Sequence, residues 1–99
     1  MKRFEISLTP EAQRDASMLR YAIVFKYRAP LTAKRYLEGL DKKMKSLEVG
    51  ADSIQIDAEQ TERYGFEIRR VNYKEMAILY SIEGEKVLVQ QITPQNLVY

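Results

Sequence analysis

Residues 67–80 read Glu67-Ile-Arg-Arg-Val-Asn-Tyr-Lys-Glu-Met-Ala-Ile-Leu-Tyr80 (EIRRVNYKEMAILY), and they decide the fold class. The two ends are built from apolar and β-favouring residues. From Arg63 the signal is β, and strand alternation turns Phe66, Ile68 and Arg70 to one face and Glu67, Arg69 and Val71 to the other. Asn72-Tyr73-Lys74 reads as a turn. A second strand runs from Met76 to Ile82. Its Met76–Tyr80 portion does not alternate, which marks a central strand covered on both faces. Glu83-Gly84-Glu85 is a glycine-containing hairpin turn. Lys86–Thr93 follows as a third strand, and Pro94 ends it because proline cannot donate to the ladder.

Upstream the pattern changes. Phe4, Ile6 and Leu8 alternate with Glu5 and Ser7, giving a short strand with one buried face. Thr9-Pro10-Glu11 then opens a helix: Thr9 caps it, Pro10 suits the first turn, and Glu11 complements the positive end of the dipole. That helix runs to about Lys26. Ala12, Ala16, Leu19 and Ile23 form its apolar face, which Met18, Ala22 and Phe25 are expected to widen. Ala29-Pro30 breaks it. A second helix is expected over roughly Leu31 to Glu48, with Ala33, Leu37, Leu40, Met44 and Leu47 as its seam and Gly50 as its stop. Arg35, Lys42 and Lys45 fall off the seam. So short a connection makes the two helices antiparallel. In the segment 51–62, Ile54 and Ile56 alternate with Gln55 and Asp57, so it reads either as a short strand or as a loop.

The expected order is β-α-α-β-β-β: one α+β domain over residues 1–99, with an N-terminal strand and a helical hairpin packed on one face of a mostly antiparallel sheet. The other face is then either a concave functional surface or a partner's seat. Composition narrows the chemistry. Apolar residues make up 45% and charged residues 30%, as in ordinary globular domains. With no cysteine and no histidine, thiolate catalysis, disulfides, zinc–thiolate sites and the commonest general base are excluded. No metal or cofactor is expected. No apolar run approaches a membrane span, and MKRFEISLTP lacks the apolar core of a signal peptide, so a cytoplasmic protein is expected. The net charge of +2 is unevenly placed. The four acids Asp52, Asp57, Glu59 and Glu62 interrupt a basic surface of Lys42, Lys43 and Lys45 before them and Arg63, Arg69, Arg70 and Lys74 after them.

ISLTPEAQRDASML, PLTAKRYLEGLDKKMKSL and FEIRRVNYKEMAILYSIEGEKVLVQQI, in that order, resemble the RelE/ParE superfamily of bacterial toxins from type II toxin–antitoxin (plasmid-stabilisation) modules. The resemblance covers nearly the whole chain. It implies a small α+β toxin held inactive by a cognate antitoxin whose tail wraps it, so the toxin surface should expose apolar groups that the antitoxin covers. Of the two branches, RelE-like toxins cleave messenger RNA on the ribosome without metal, whereas ParE-like toxins poison DNA gyrase. A nuclease without histidine needs crowded cations to depress a lysine pKa and an arginine to stabilise the phosphorane. For that reading the candidate catalytic residues are Arg69, Arg70 and Tyr80, with Lys43, Lys45, Arg63 and Lys74 as nucleic-acid contacts and Tyr99 as a C-terminal tyrosine of the kind the family uses.

Arg69 and Arg70 point to opposite faces, so at most one serves a given cleft. Each, like Tyr80, also has a plain structural role open to it. After the last strand, where the family often carries a basic or histidine-containing motif, Ile92-Thr-Pro-Gln-Asn-Leu97 has neither base nor acid. Loss of one such group costs on the order of 10²- to 10³-fold in rate. The preferred expectation is therefore a ParE-like or catalytically degenerate toxin. The alternatives are a RelE-like ribosome-dependent mRNA endonuclease and a non-toxic interaction module on the same fold.

Overall fold

The structure, a computed structural model, describes residues 2–98. Tyr99 lies outside them. Glu5–Leu8 forms β1 and Pro10–Lys26 forms α1. As expected, Thr9 caps α1, its hydroxyl accepting from the Ala12 N–H at 3.1 Å. Tyr27 closes it, and Ala29 stands extended before Pro30. Pro30–Lys45 is α2, which runs back antiparallel to α1. The Arg20 Nη2 to Asp41 Oδ1 ion pair, at 2.9 Å, ties the two together.

The expected single helix to Glu48 breaks at Ser46, whose hydroxyl donates to the Lys43 carbonyl at 2.6 Å in competition with the helix ladder. Leu47–Gly50 follows as a short α3 and passes directly into a 3₁₀ turn at Ala51–Ser53, so Gly50 does not stop the helical course of the chain.

Residues 51–62 are corrected most. They do not form a strand. Ile56 makes one isolated bridge to Arg69, and Ala58–Tyr64 is a helix, α4. Asp57 caps it by accepting from the Gln60 N–H at 3.0 Å. Gly65 ends it in the left-handed conformation (φ 82°), with its N–H returning to the Thr61 carbonyl. Arg63 and Tyr64 are therefore helical, and β structure begins later than the residue pattern indicates.

Arg69–Tyr73 is β2, Met76–Glu83 is β3 and Lys86–Pro94 is β4. The turn between β2 and β3 is Lys74-Glu75, one step beyond the expected position, with Lys74 at φ 50°. The sheet order is β1-β4-β3-β2. β2, β3 and β4 pair antiparallel, while β1 pairs parallel with β4, so the sheet is mixed. A bulge between Leu79 and Tyr80 shifts the β3–β4 register.

One face of the sheet presents Val71, Met76, Ile78, Tyr80, Val87, Val89 and Ile92 to Ala12, Ala16, Leu40, Met44 and Leu47. This is the main core. The opposite face is not open. Ile68, Ala77 and Leu79 are buried there too. α4 lies across it, from Thr61, which bonds the backbone of Ile68, to Tyr64, whose hydroxyl donates to Gln91 at 3.0 Å.

Met18, Ala22 and Phe25 do not widen the buried face of α1: all three are exposed, Met18 by 72% and Phe25 by 67%. At ~100° per residue Met18 and Phe25 lie on the far side of the helix from Ala12, Ala16 and Ile23, and Ala22 lies on its flank. The hairpin forms a single layer, and among the described residues no further element covers its outer side.

Candidate functional site

Of the three residues of the expected phosphoryl-transfer set, Arg69 and Tyr80 are cross-strand neighbours and Arg70 is on the other face of the sheet. Arg69 lies opposite Tyr80 in the register, on the helix side of the sheet. Its Nη1 donates to the carbonyls of Asp52, at 3.1 Å, and of Ile54. The guanidinium thus holds the 51–54 segment in place. Tyr80 is fully buried, and its hydroxyl donates to the Ala51 carbonyl at 2.7 Å. Burial pushes its phenol up to about 12, with Asp52 adding to the shift and Arg69 opposing it. Arg70 alternates to the other face, where its Nε donates to Asn72 Oδ1 at 3.0 Å.

The expected nucleic-acid contacts are dispersed. Lys43 and Lys45 are in the last turn of α2, Arg63 is on α4, and Lys74 is in the β2–β3 turn. Lys74 Nζ stands 5.9 Å from the ring centroids of both Tyr36 and Tyr73. Those rings meet edge to face and join α2 to the hairpin. The Tyr36 hydroxyl donates to Glu75 at 2.8 Å, and the Tyr73 hydroxyl to the Tyr36 carbonyl at 2.7 Å. Burial first, then Glu75, raises the Tyr36 pKa. Glu75 itself is held below its ordinary value: burial would raise it, but its own backbone N–H, the Tyr36 hydroxyl, Lys26 and Lys74 together outweigh that. The uncharged tail is also in use: Gln95 Nε2 donates to the Lys74 carbonyl.

The large accessible surface is apolar. Met18, Tyr21, Val24 and Phe25 project outward from α1, and Leu31 projects from the start of α2. Tyr21 and Phe25 pack on each other with centroids 5.4 Å apart. Beside them a cleft of about 520 Å³ opens between the helices, lined by Val24, Tyr27, Pro30, Ala33 and Leu37 with polar rims. Exposed apolar surface of this extent marks an interaction site.

Over residues 6–98 the sequence matches the family described as ParE toxin of type II toxin-antitoxin system, parDE. The chain belongs to the ParE toxin family. It is the toxin component of a type II toxin–antitoxin system, a context that implies an antitoxin partner. Among solved structures it is similar to a chain of the chromosomal ParDE TA system from P. aeruginosa, with 13% identity and a TM-score of 0.74 over 93% of this chain and 96% of that one. At that identity the likeness is one of fold. No curated protein matches the sequence.

Sequence reasoning missed the outward residues of this toxin's α1. Met18, Tyr21, Ala22 and Phe25 recur at spacings of three, four and seven, a second apolar stripe on a helix that already has one. Two stripes on opposite sides signal a helix awaiting a second neighbour. No helix among the described residues is long and apolar enough to cross a membrane.

Proposed function

We propose that this toxin acts in the cytoplasm by binding a protein target, DNA gyrase, and not by cutting RNA. The commitment of the neighbouring Arg69 and Tyr80 side chains to backbone carbonyls, with Arg70 on the other face, carries this reading. Metal-independent RNA cleavage needs a base, a phosphorane stabiliser and a proton donor around one phosphate, at about hydrogen-bonding distance. Here Arg69 is committed to two backbone carbonyls, Tyr80 is buried beneath the hairpin, and Arg70 is on the far side of the sheet. The covering of that far side by α4 and the uncharged Ile92–Leu97 tail support it further.

Induction of the toxin alone in bacteria tests the proposal. Growth arrest with an induced DNA-damage response and intact ribosome-bound messenger RNA is expected. Codon-phased cleavage of translated messages, lost in Arg70→Ala, would replace this reading with the nuclease. Unimpaired growth at high expression would point to a non-toxic module.

A further inference from the structure

A smaller cavity, of about 250 Å³, lies between the start of α2 and the β2–β3 turn. Tyr27, Thr32, Arg35, Tyr36, Tyr73 and Lys74 line it. The three rings form a continuous platform, with Tyr36 in the middle, 6.0 Å from Tyr27 and 5.3 Å from Tyr73 between centroids. Tyr36 is buried, whereas Tyr27 and Tyr73 are half-buried and keep part of each ring accessible. Hydrogen bonds fix the platform: the Tyr36 hydroxyl donates to Glu75, and the Tyr73 hydroxyl to the Tyr36 carbonyl.

Two backbone positions are adapted to this cluster. Gly39 is in the interior of α2, where glycine is unfavourable, and the Tyr73 hydroxyl fills the space that an added methyl would take. Lys74 is the one non-glycine residue at positive φ (50°) among the described residues, in a two-residue turn where glycine or asparagine is favoured. Its Nζ stands 5.9 Å from the centroids of both Tyr36 and Tyr73. Non-glycine residues held in this conformation cluster at ligand clamps.

Charge decides what the platform takes. Three rings beside the Glu75 carboxylate would suit an ammonium ligand. The chain's own cations already hold that place: Lys74 stands by Tyr36 and Tyr73, and Lys26 Nζ is 5.4 Å from the Tyr27 centroid. Both lysines also act on the Glu75 carboxylate. Arg35, also lining the cavity, makes no ion pair among the described residues. Three cations around one carboxylate leave the cavity positive, so it repels a further cation and favours an anion. The Arg35 guanidinium offers a fork of donors that fits phosphate oxygens, and the Thr32 hydroxyl adds another donor. The rings favour a flat, stacking group beside that anion. The cavity is below the ~300–1,000 Å³ of drug-sized pockets, which gives room for one such unit.

We propose that this cavity binds a single nucleotide unit, its base on the Tyr27 and Tyr73 rings and its phosphate on Arg35 and Lys74. The unit is either a free nucleoside phosphate or one unpaired nucleotide of a nucleic-acid strand. The Tyr36 and Tyr73 hydroxyls are committed as donors within the fold, so the site binds and does not cleave. It lies at the opposite end of β2 from Arg69 and goes beyond the gyrase reading without depending on it.

The test is calorimetric titration of the full-length toxin with AMP, adenosine, inorganic phosphate and an oligothymidylate. AMP is expected to bind saturably, about tenfold or more tighter than adenosine or phosphate alone, and more weakly as salt rises. Tyr27→Leu, which keeps the apolar bulk, and Arg35→Gln are each expected to weaken AMP about tenfold. Lys74→Gly separates binding from folding: affinity should fall by a similar factor while Tm is held or rises, because glycine accepts positive φ freely. Displacement of AMP by the oligothymidylate would support the site and assign it to both sources. Binding of AMP alone would support it and assign it to free nucleotides, and binding of the oligothymidylate alone would support it and assign it to a strand. Phosphate binding as tightly as AMP would leave an anion site without base recognition and overturn the proposal. Wild-type affinity in all three variants would overturn it too, as would the absence of saturable binding by either AMP or the oligothymidylate.

Discussion

Arg69, a candidate catalytic residue, has a structural role as a tether. Its guanidinium reaches the carbonyls of Asp52 and Ile54, beside the buried Tyr80 hydroxyl on Ala51. Arg69→Ala is expected to cost about 1–3 kcal/mol in a denaturant melt, because those carbonyls lose a charged donor. Toxicity per folded molecule should be kept. Loss of toxicity with an unchanged melt would contradict the tether. A second residue-scale constraint is Gly39, where an added methyl would run into the Tyr73 hydroxyl. Alanine gains ~1 kcal/mol of helix propensity there. Displacing Tyr73 from the Tyr36 carbonyl should more than offset that gain, by roughly 1–3 kcal/mol. In Gly39→Ala/Tyr73→Phe the clash is partly relieved, so the two losses should be less than additive in a double-mutant cycle. Strict additivity would mean that the hydroxyl is not what excludes the methyl.

At the scale of elements, what the sequence showed depended on which surfaces were apolar. The strands from Met76 onward, the cap at Thr9 and the break at Ala29-Pro30 were legible because each has a local physical cause. α4 was not. Its inward residues are Gln60 and the tyrosine Tyr64, so apolar periodicity is nearly silent. The signs it does carry are its ends: Asp57 with Gln60 three residues on, and Gly65. Gly65→Ala should therefore cost about 1 kcal/mol, read as a lower Tm, since alanine resists φ 82°. α1 posed the reverse problem: it is apolar on two sides, and only tertiary structure says which side is buried. Of the candidate site, the residue types and the opposite facing of Arg69 and Arg70 were readable, but the partners of Arg69 and Tyr80 were not, because both bond a segment whose course the pattern left open.

The α2–hairpin joint also carries a pH dependence. Glu75 is held below its ordinary value of 4.5, so its contribution is present above that pH and is lost as pH falls through the lower, folded-state value. Thermal stability should thus decline below about pH 4.5, and less steeply in Glu75→Gln. Because Glu75 is exposed, the difference should be small and should shrink in salt. Identical acid profiles for the two proteins would show that Glu75 does not contribute.

For the whole molecule, a mixed four-stranded sheet is covered on one side by the helical hairpin and on the other by α4. The most exposed large apolar side chains among the described residues, Met18, Tyr21 and Phe25, are on the outside of α1. The type II toxin–antitoxin context supplies one protein partner, the antitoxin; the proposed gyrase target would be a second. The most direct test is in vitro, with purified toxin added in parallel to DNA gyrase with plasmid and to ribosomes translating a defined message. Expected is loss of supercoiling or accumulation of gyrase-linked broken DNA, reversed by the antitoxin, with the message intact. Cleaved message on the ribosome beside unaffected gyrase would contradict the binding mode of action.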